Sequence, residues 1–221
     1  MSEKLSAMIL TGGSSSRFGS DKSLAMLEGK TLLTHLLTDL AVNIEVVIVG
    51  PTFESQLRSL KFVQENPAGG GPVAAVDAGL AIINTEFVAL IATDMPFAAA
   101  VIHDLANSLE TSRDGLVPLD AEGIPQTLCA IYRTDALKQA IEKLGSPQGR
   151  SMRSLTALLQ LREIELSTSL ESRLLDIDTP EELQQAITER EADTMNEWIE
   201  EVKKELGVTL NFEIDSILDT A

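Results

Sequence analysis

Residues 7–22 read AMILTGGSSSRFGSDK, and the fold turns on how this stretch changes character. Ala7 to Thr11 is a short apolar run with the length of a buried strand, and the glycines and serines behind it cannot continue that strand. A strand that empties into a glycine loop places the loop at its carboxyl end, where open α/β sheets bind ligands. Gly12, Gly13 and Gly19 let backbone N–H groups approach an anion closely, while Arg17 and Lys22 supply positive charge for phosphate oxygens. The stretch reads as a phosphate cradle, with a flexible Gly/Ser surface connection as the plain alternative. It is not a Walker A loop, because five residues separate Gly13 from Gly19 and Lys22 comes three later. Nor does it follow the GxGxxG spacing of dinucleotide sites.

Outward from this loop, short β-branched runs alternate with helix-length amphipathic segments, the signature of a sheet layered between helices. Strands are expected at Ala7 to Thr11, Glu45 to Gly50, Lys61 to Gln64, Phe87 to Thr93, Gly115 to Pro118, Thr127 to Tyr132, Arg162 to Glu165 and Leu174 to Ile177. The spacing predicts helices over Thr31 to Val42, Phe53 to Leu60, Val73 to Ile83, Ala98 to Glu110, Thr134 to Leu144, Ser151 to Leu159 and Pro180 to Glu191. Asp120, Glu122 and Gly123 form a turn signal between two strands. The fold class that follows is α/β, a Rossmann-like, mostly parallel sheet sandwiched by helices.

The chain has 221 residues, 44% hydrophobic and 23% charged, an ordinary globular composition that can bury a core without disulfides. Its single cysteine, Cys129, lies inside the apolar run TLCAIY and reads as a small buried thiol. No signal-peptide pattern opens the sequence and no run is long enough to span a bilayer, so a cytoplasmic location and no membrane partner are expected. With 34 acidic against 17 basic side chains the net charge is −17, which repels nucleic acid phosphates and excludes that class of partner. From Glu171 to the C-terminus fifteen acids stand against four basic residues, so most of the negative charge is concentrated there. A domain over residues 1–193 and an acidic helical segment over 194–221 are therefore expected. In that segment Trp198, Ile199, Val202 and Leu206 share one helical face, and Phe212, Ile214, Ile217 and Leu218 begin a second pattern.

The loop also carries a family pattern. LTGGSSSRFGSDKSLAMLEGKTLLTHLL resembles the opening of the molybdenum cofactor nucleotidyltransferases, LAGGxSxRxGxDK followed by a strand and Gly-Lys-x-Leu. Three later blocks agree in order: Gly71-Pro72 opening a small-residue helix, Ala92-Thr93-Asp94-Met95-Pro96, and Asp176-Ile177-Asp178-Thr179-Pro180-Glu181-Glu182-Leu183. The resemblance covers roughly residues 5–190 and implies a nucleotide-diphospho-sugar transferase-like fold. It implies a guanylyltransferase that moves GMP from GTP to the terminal phosphate of molybdopterin, or of its molybdenum form, and releases pyrophosphate, with transient protein partners in cofactor delivery. Leu10, Thr11, Gly12, Gly13, Arg17, Lys22, Asn66 and Asp94 form the expected nucleotide-binding set, with Arg17, Lys22 and Asp94 catalytic. A cytidylyltransferase for the same cofactor, a sugar-phosphate nucleotidyltransferase and a non-catalytic nucleotide-binding module are the competing readings.

Asp94 ends the apolar run FVALIATDMP, where Pro96 stops regular continuation and leaves the carboxylate at the sheet edge. A Mg²⁺ carried in with a triphosphate is held by one or two such carboxylates and otherwise by water and phosphate. Asp94 is the expected metal ligand; its plainer role is a helix cap for the segment near Ala98. Asp178 is a second candidate ligand, and Asp178-Thr179-Pro180-Glu181-Glu182 is equally a good helix start. Asp21 is expected to orient Lys22 or cap a turn. His35 and His103 sit in no metal-ligand spacing, and Met8, Met26 and Met95 read as core filler. Gln148 to Arg153 is basic, starts a helix, and is a candidate contact for an acceptor phosphate, a solvated helix face being the alternative. The guanylyl reading over the cytidylyl one rests on Gly12: family guanylyltransferases carry Gly at the third position of LxGG and cytidylyl enzymes carry Ala. A glycine lets the backbone lie against a purine, and Thr11 stands where the family usually has Ala.

Overall fold

The computed structural model describes residues 4–11, 26–27, 29–53, 55, 57–109, 113–174, 177, 182, 185 and 188. It divides into one unit over Met1–Thr179 and a second over Pro180–Ala221. In the second unit Glu182, Gln185 and Thr188 are helical, and the expected appendage over 194–221 lies outside the described residues.

The first unit is built on β1 (Leu5–Leu10), β4 (Glu45–Val49), β5 (Lys61–Val63), β6 (Phe87–Ala92), β7 (Gly115–Leu119), β8 (Cys129–Arg133) and β9 (Leu161–Glu165). They form one seven-stranded sheet in the order β5-β4-β1-β6-β8-β7-β9. From β5 to β6 the strands are parallel; β8 runs antiparallel to both β6 and β7, and β9 is again parallel to β7. A separate two-stranded hairpin joins β2 (Met26–Leu27) to β3 (Lys30–Thr31) around Gly29, whose φ of 77° suits glycine.

Two apolar layers cover the sheet. Ala7, Ile9, Val46, Ile48, Ala89, Ile91, Cys129 and Ile131 face α1 (Leu32–Asp39) and α3 (Ala98–Asn107). The intervening Met8, Leu10, Val47, Val49, Val88, Leu90, Ala130 and Tyr132 face α2 (Pro72–Leu80), α4 (Thr134–Leu144) and α5 (Met152–Thr156). Strands buried on both faces need no polar alternation, which is why the central segments read as unbroken apolar runs. Each fully buried Leu or Ile contributes about 1.5–3 kcal/mol.

Three expectations are corrected. Over Phe53 to Leu60 no described residue is helical. Its apolar residues are used singly instead: Phe53 packs edge-on against Phe62 with ring centres 5.1 Å apart, and Leu57 is exposed. Arg58 turns back to bond the carbonyls of Leu40, Ala41, Val42 and Ile44, which closes the end of α1 and displaces a helix there. Of the expected strand Leu174 to Ile177, Leu174 ends a 3₁₀ turn (Ser172–Leu174) that follows a short helix α6 (Thr168–Glu171), and Ile177 lies in no strand. Met26 is 58% exposed and is not core filler, whereas Met8 and Met95 are buried. Among the described residues no helix is long and apolar enough to cross a membrane.

Candidate active site

The strand order fixes where a ligand can bind. From β1 the chain steps through α1 to β4 and on to β5, then returns through α2 to β6 on the other flank of β1. The direction of winding reverses between β1 and β6, and the crevice beyond their carboxyl ends is the switch point of an open α/β sheet. Thr11 leaves β1 on one side of that crevice and Asp94 follows β6 on the other.

The strand ends are fastened to one another at this edge. Thr93 donates to the Leu10 carbonyl from both its backbone N–H, at 3.2 Å, and its hydroxyl, at 2.5 Å. Thr11 does the same one strand over, donating to the Val49 carbonyl from its N–H at 3.0 Å and its hydroxyl at 3.1 Å. Gly50 then donates to the Val63 carbonyl at 2.8 Å. A Cβ at position 50 would fall on the Thr11 hydroxyl, so a glycine is needed for Thr11 to sit here. Neither Thr93 nor Gly50 was picked out by sequence reasoning; the available signal was a hydroxyl residue or a glycine directly behind an apolar run.

Asp94 is partly exposed and is not a helix cap, since α3 has Phe97 at its N-cap and no side-chain capping bond. Its carbonyl accepts the N–H of Ile177 at 2.9 Å, which brings the residue before Asp178 beside Asp94. Asp178 itself, with Gly12, Gly13, Arg17, Asp21 and Lys22, lies outside the described residues. Leu10 is buried at the end of β1. Asn66 lies at the same carboxyl edge, three residues beyond β5, exposed and joined to Pro67 by a cis peptide.

Two loops close the α2 side. The Gly149 N–H donates to the Gly70 carbonyl at 2.8 Å, and a Cβ at Gly70 would run into the Gln148 side-chain carbonyl. Arg150 and Arg153 are exposed beside this junction, and Ser151 caps α5 through the N–H of Ser154 at 3.2 Å. On the β8 side the Ala92 N–H reaches the Leu128 carbonyl at 2.9 Å, so the β7–β8 hairpin tip shares the edge with Asp94. There Asp120 accepts from the N–H groups of Glu122, at 3.0 Å, and Ile124, at 2.8 Å, and from the Gln126 amide at 2.6 Å. These bonds, that from Ile124 foremost, hold its carboxyl below the usual range.

Cys129 is fully buried, and burial pushes its thiol up to about 12, so it stays a neutral core group. His35 is buried in α1 and His103 is exposed on α3. Among the described residues no group of three or more His, Cys, Asp or Glu could hold a metal. A single edge carboxylate such as Asp94 is nevertheless a fitting donor for an ion whose remaining ligands are phosphate and water.

Residues 7–164 match the family model described as the MobA-like NTP transferase domain. The chain belongs to the MobA-like NTP transferase family. As a member it is a nucleotidyltransferase. A Nostoc sp. protein named as a probable molybdenum cofactor guanylyltransferase is 31% identical over 202 residues, 87% of this chain and 94% of that protein. A similarly named Bacillus cereus protein is 28% identical over 81% of this chain and 94% of its own length. The fold is shared with molybdopterin-guanine dinucleotide biosynthesis protein A from Archaeoglobus fulgidus, at TM-score 0.61 and 21% identity over 82% of this chain and 96% of that one. It is shared equally with 2-C-methyl-D-erythritol 4-phosphate cytidylyltransferase from Thermus thermophilus, at TM-score 0.61 and 18% identity over 83% and 97%. The two likenesses show one shared fold.

Proposed function

We propose that this MobA-like enzyme transfers GMP from GTP to the terminal phosphate of molybdopterin and releases pyrophosphate. The observation that carries the reading is the crevice itself: the LTGG loop leaves from one wall, Asp94 stands on the other, and the relatives so named align over almost their whole length. Backbone N–H groups from Gly12 to Gly19, with Arg17 and Lys22, hold the triphosphate oxygens. Asp94 holds Mg²⁺, with Asp178 as second ligand; the Ile177 bond to Asp94 supports that pairing. Bound Mg²⁺ supplies charge neutralisation for the leaving pyrophosphate. Arg150 and Arg153 are the residues proposed to receive the acceptor phosphate.

In the transfer, an acceptor phosphate oxygen forms a bond to the α-phosphorus as the α–β bridging P–O bond breaks, and pyrophosphate carries away the electron pair. A phosphomonoester, with a second pKa of about 6, is largely a dianion at neutral pH and attacks without a protein nucleophile or base. Calorimetry with GTP, CTP, ATP and UTP, each with and without Mg²⁺, tests the assignment: tightest binding of Mg-GTP is expected. A preference for CTP would move the protein to the cytidylyl reading, which the Thermus thermophilus likeness makes the nearest competitor. Absence of pyrophosphate release with Mg-GTP and acceptor would leave a binding module.

A further inference from the structure

We propose that Thr11 and Thr93 are positioning residues: each hydroxyl clips one strand end, so that the point from which the glycine loop departs and the point at which Asp94 follows β6 are held fixed on opposite sides of the crevice. This rests on the nucleotidyl-transfer reading above. The two threonines occupy equivalent places, the first residue beyond an edge-directed central strand, and each doubles its own backbone hydrogen bond onto the terminal carbonyl of the next strand. The Thr93 clip runs from β6 to β1, the Thr11 clip from β1 to β4, and Gly50 continues the series to β5.

A regular ladder would secure these strands without any hydroxyl, and it does so along their whole length. What the hydroxyls add is confined to two strand-end carbonyls, that of Leu10 and that of Val49, each bonded by the threonine that directly precedes a functional segment. A carbonyl has two lone pairs, so it can take the hydroxyl as a second donor beside the N–H, and the residue directly before Gly12 or Asp94 is thereby tied at its side chain as well as its backbone to the end of the neighbouring strand. The Thr93 hydroxyl is buried, where such a bond is electrostatically stronger. The Thr11 clip exists only because position 50 lacks a Cβ. Thr11 and Gly50 thus form a matched pair, and the threonine that departs from the family's alanine has a physical role.

A third threonine provides the control. Thr85 donates to the Ser6 hydroxyl at 2.9 Å and the Phe87 carbonyl at 2.8 Å, at the opposite edge of the same strands. The experiment compares Thr11→Val, Thr93→Val and Thr85→Val with their serine counterparts by melting temperature and by calorimetric GTP affinity, in Mg²⁺ and in EDTA. Thr11→Val is expected to weaken GTP about two- to tenfold in both conditions, the span of one net hydrogen bond. Thr93→Val is expected to weaken it by a similar factor in Mg²⁺ only, and serine restores both. Thr85→Val lowers the melting temperature and leaves affinity unmoved. Should either crevice valine fail to fold, the alanine variant at that position carries the same comparison. If Thr11→Val and Thr93→Val lose stability alone, as Thr85→Val does, the clips are ordinary structural bonds and the proposal is overturned. An unmodified protein that binds no nucleotide would overturn the nucleotide reading, and the clips' role with it.

Discussion

At Asp94 the balance between architecture and chemistry can be measured directly. Asp94→Asn keeps the shape of the side chain and removes its charge. We expect Mg²⁺-dependent turnover to fall about a hundredfold or more, the scale of losing one preorganised electrostatic contact, with the melting curve almost unchanged. Near wild-type turnover would remove Asp94 from the metal site. Lys22→Ala is expected to weaken GTP about tenfold to over a hundredfold, because a charge-assisted bond to phosphate is worth about 1.5–3 kcal/mol; unchanged affinity would take the glycine loop out of the site. Gly12→Ala should reduce the preference for GTP over CTP by about 1–3 kcal/mol in kcat/KM, the effect of one misplaced methyl group in a tight pocket.

Among the elements, the hairpin tip and the central strand pairs lend themselves to measurement. Asp120 is ionised and multiply hydrogen-bonded in the folded chain, with its carboxyl held below the usual range. Its stabilising contribution is therefore fully present above the unfolded carboxylate pKa of about 4 and is lost as pH falls through the lower folded value. Melting curves of the native protein and Asp120→Asn should differ at pH 7 and converge toward pH 3; a constant gap would assign the effect to something other than ionisation. At Gly115 β7 lies close against β8, since a Cβ there would strike the Ile131 carbonyl and lie 3.1 Å from the Tyr132 Cα. Gly115→Ala should cost about 1–3 kcal/mol in urea denaturation by forcing β7 from β8. Such elements also show what sequence could yield. Runs such as VVIV and FVALIA announce strands buried on both faces, and α4 was legible end to end because its apolar residues repeat with helical period across Leu137, Ala140 and Ile141. Phe53 to Leu60 carries the same period but uses its apolar residues singly, Phe53 on Phe62, and of the strand-like Leu174 to Ile177 the first residue enters a 3₁₀ turn. Within the first of these segments Arg58 is committed to the carbonyls behind α1, a contact between distant residues that no local pattern shows. At the site Asp94 was legible from Pro96 and the apolar run before it, whereas the two clips depend on which strands become neighbours.

For the whole molecule, the concentration of acid toward the C-terminus bears on solubility more than on catalysis. Deleting residues 194–221 is expected to leave GTP turnover intact in protein that stays soluble; loss of turnover would bring that segment into the active site. The order of the strands has a further consequence, for the sequence of events during synthesis. Leu10 receives its second fastening from Thr93, made 83 positions later, and β6 in turn needs β8, which begins at Cys129. The glycine loop thus leaves the ribosome long before either wall of its crevice exists. Contacts this distant in sequence are assembled late and slowly. A nascent fragment that stops before β6 should bind no GTP and expose the apolar flank of β1, so the chain passes its most aggregation-prone moment between the emergence of β5 and the arrival of β8.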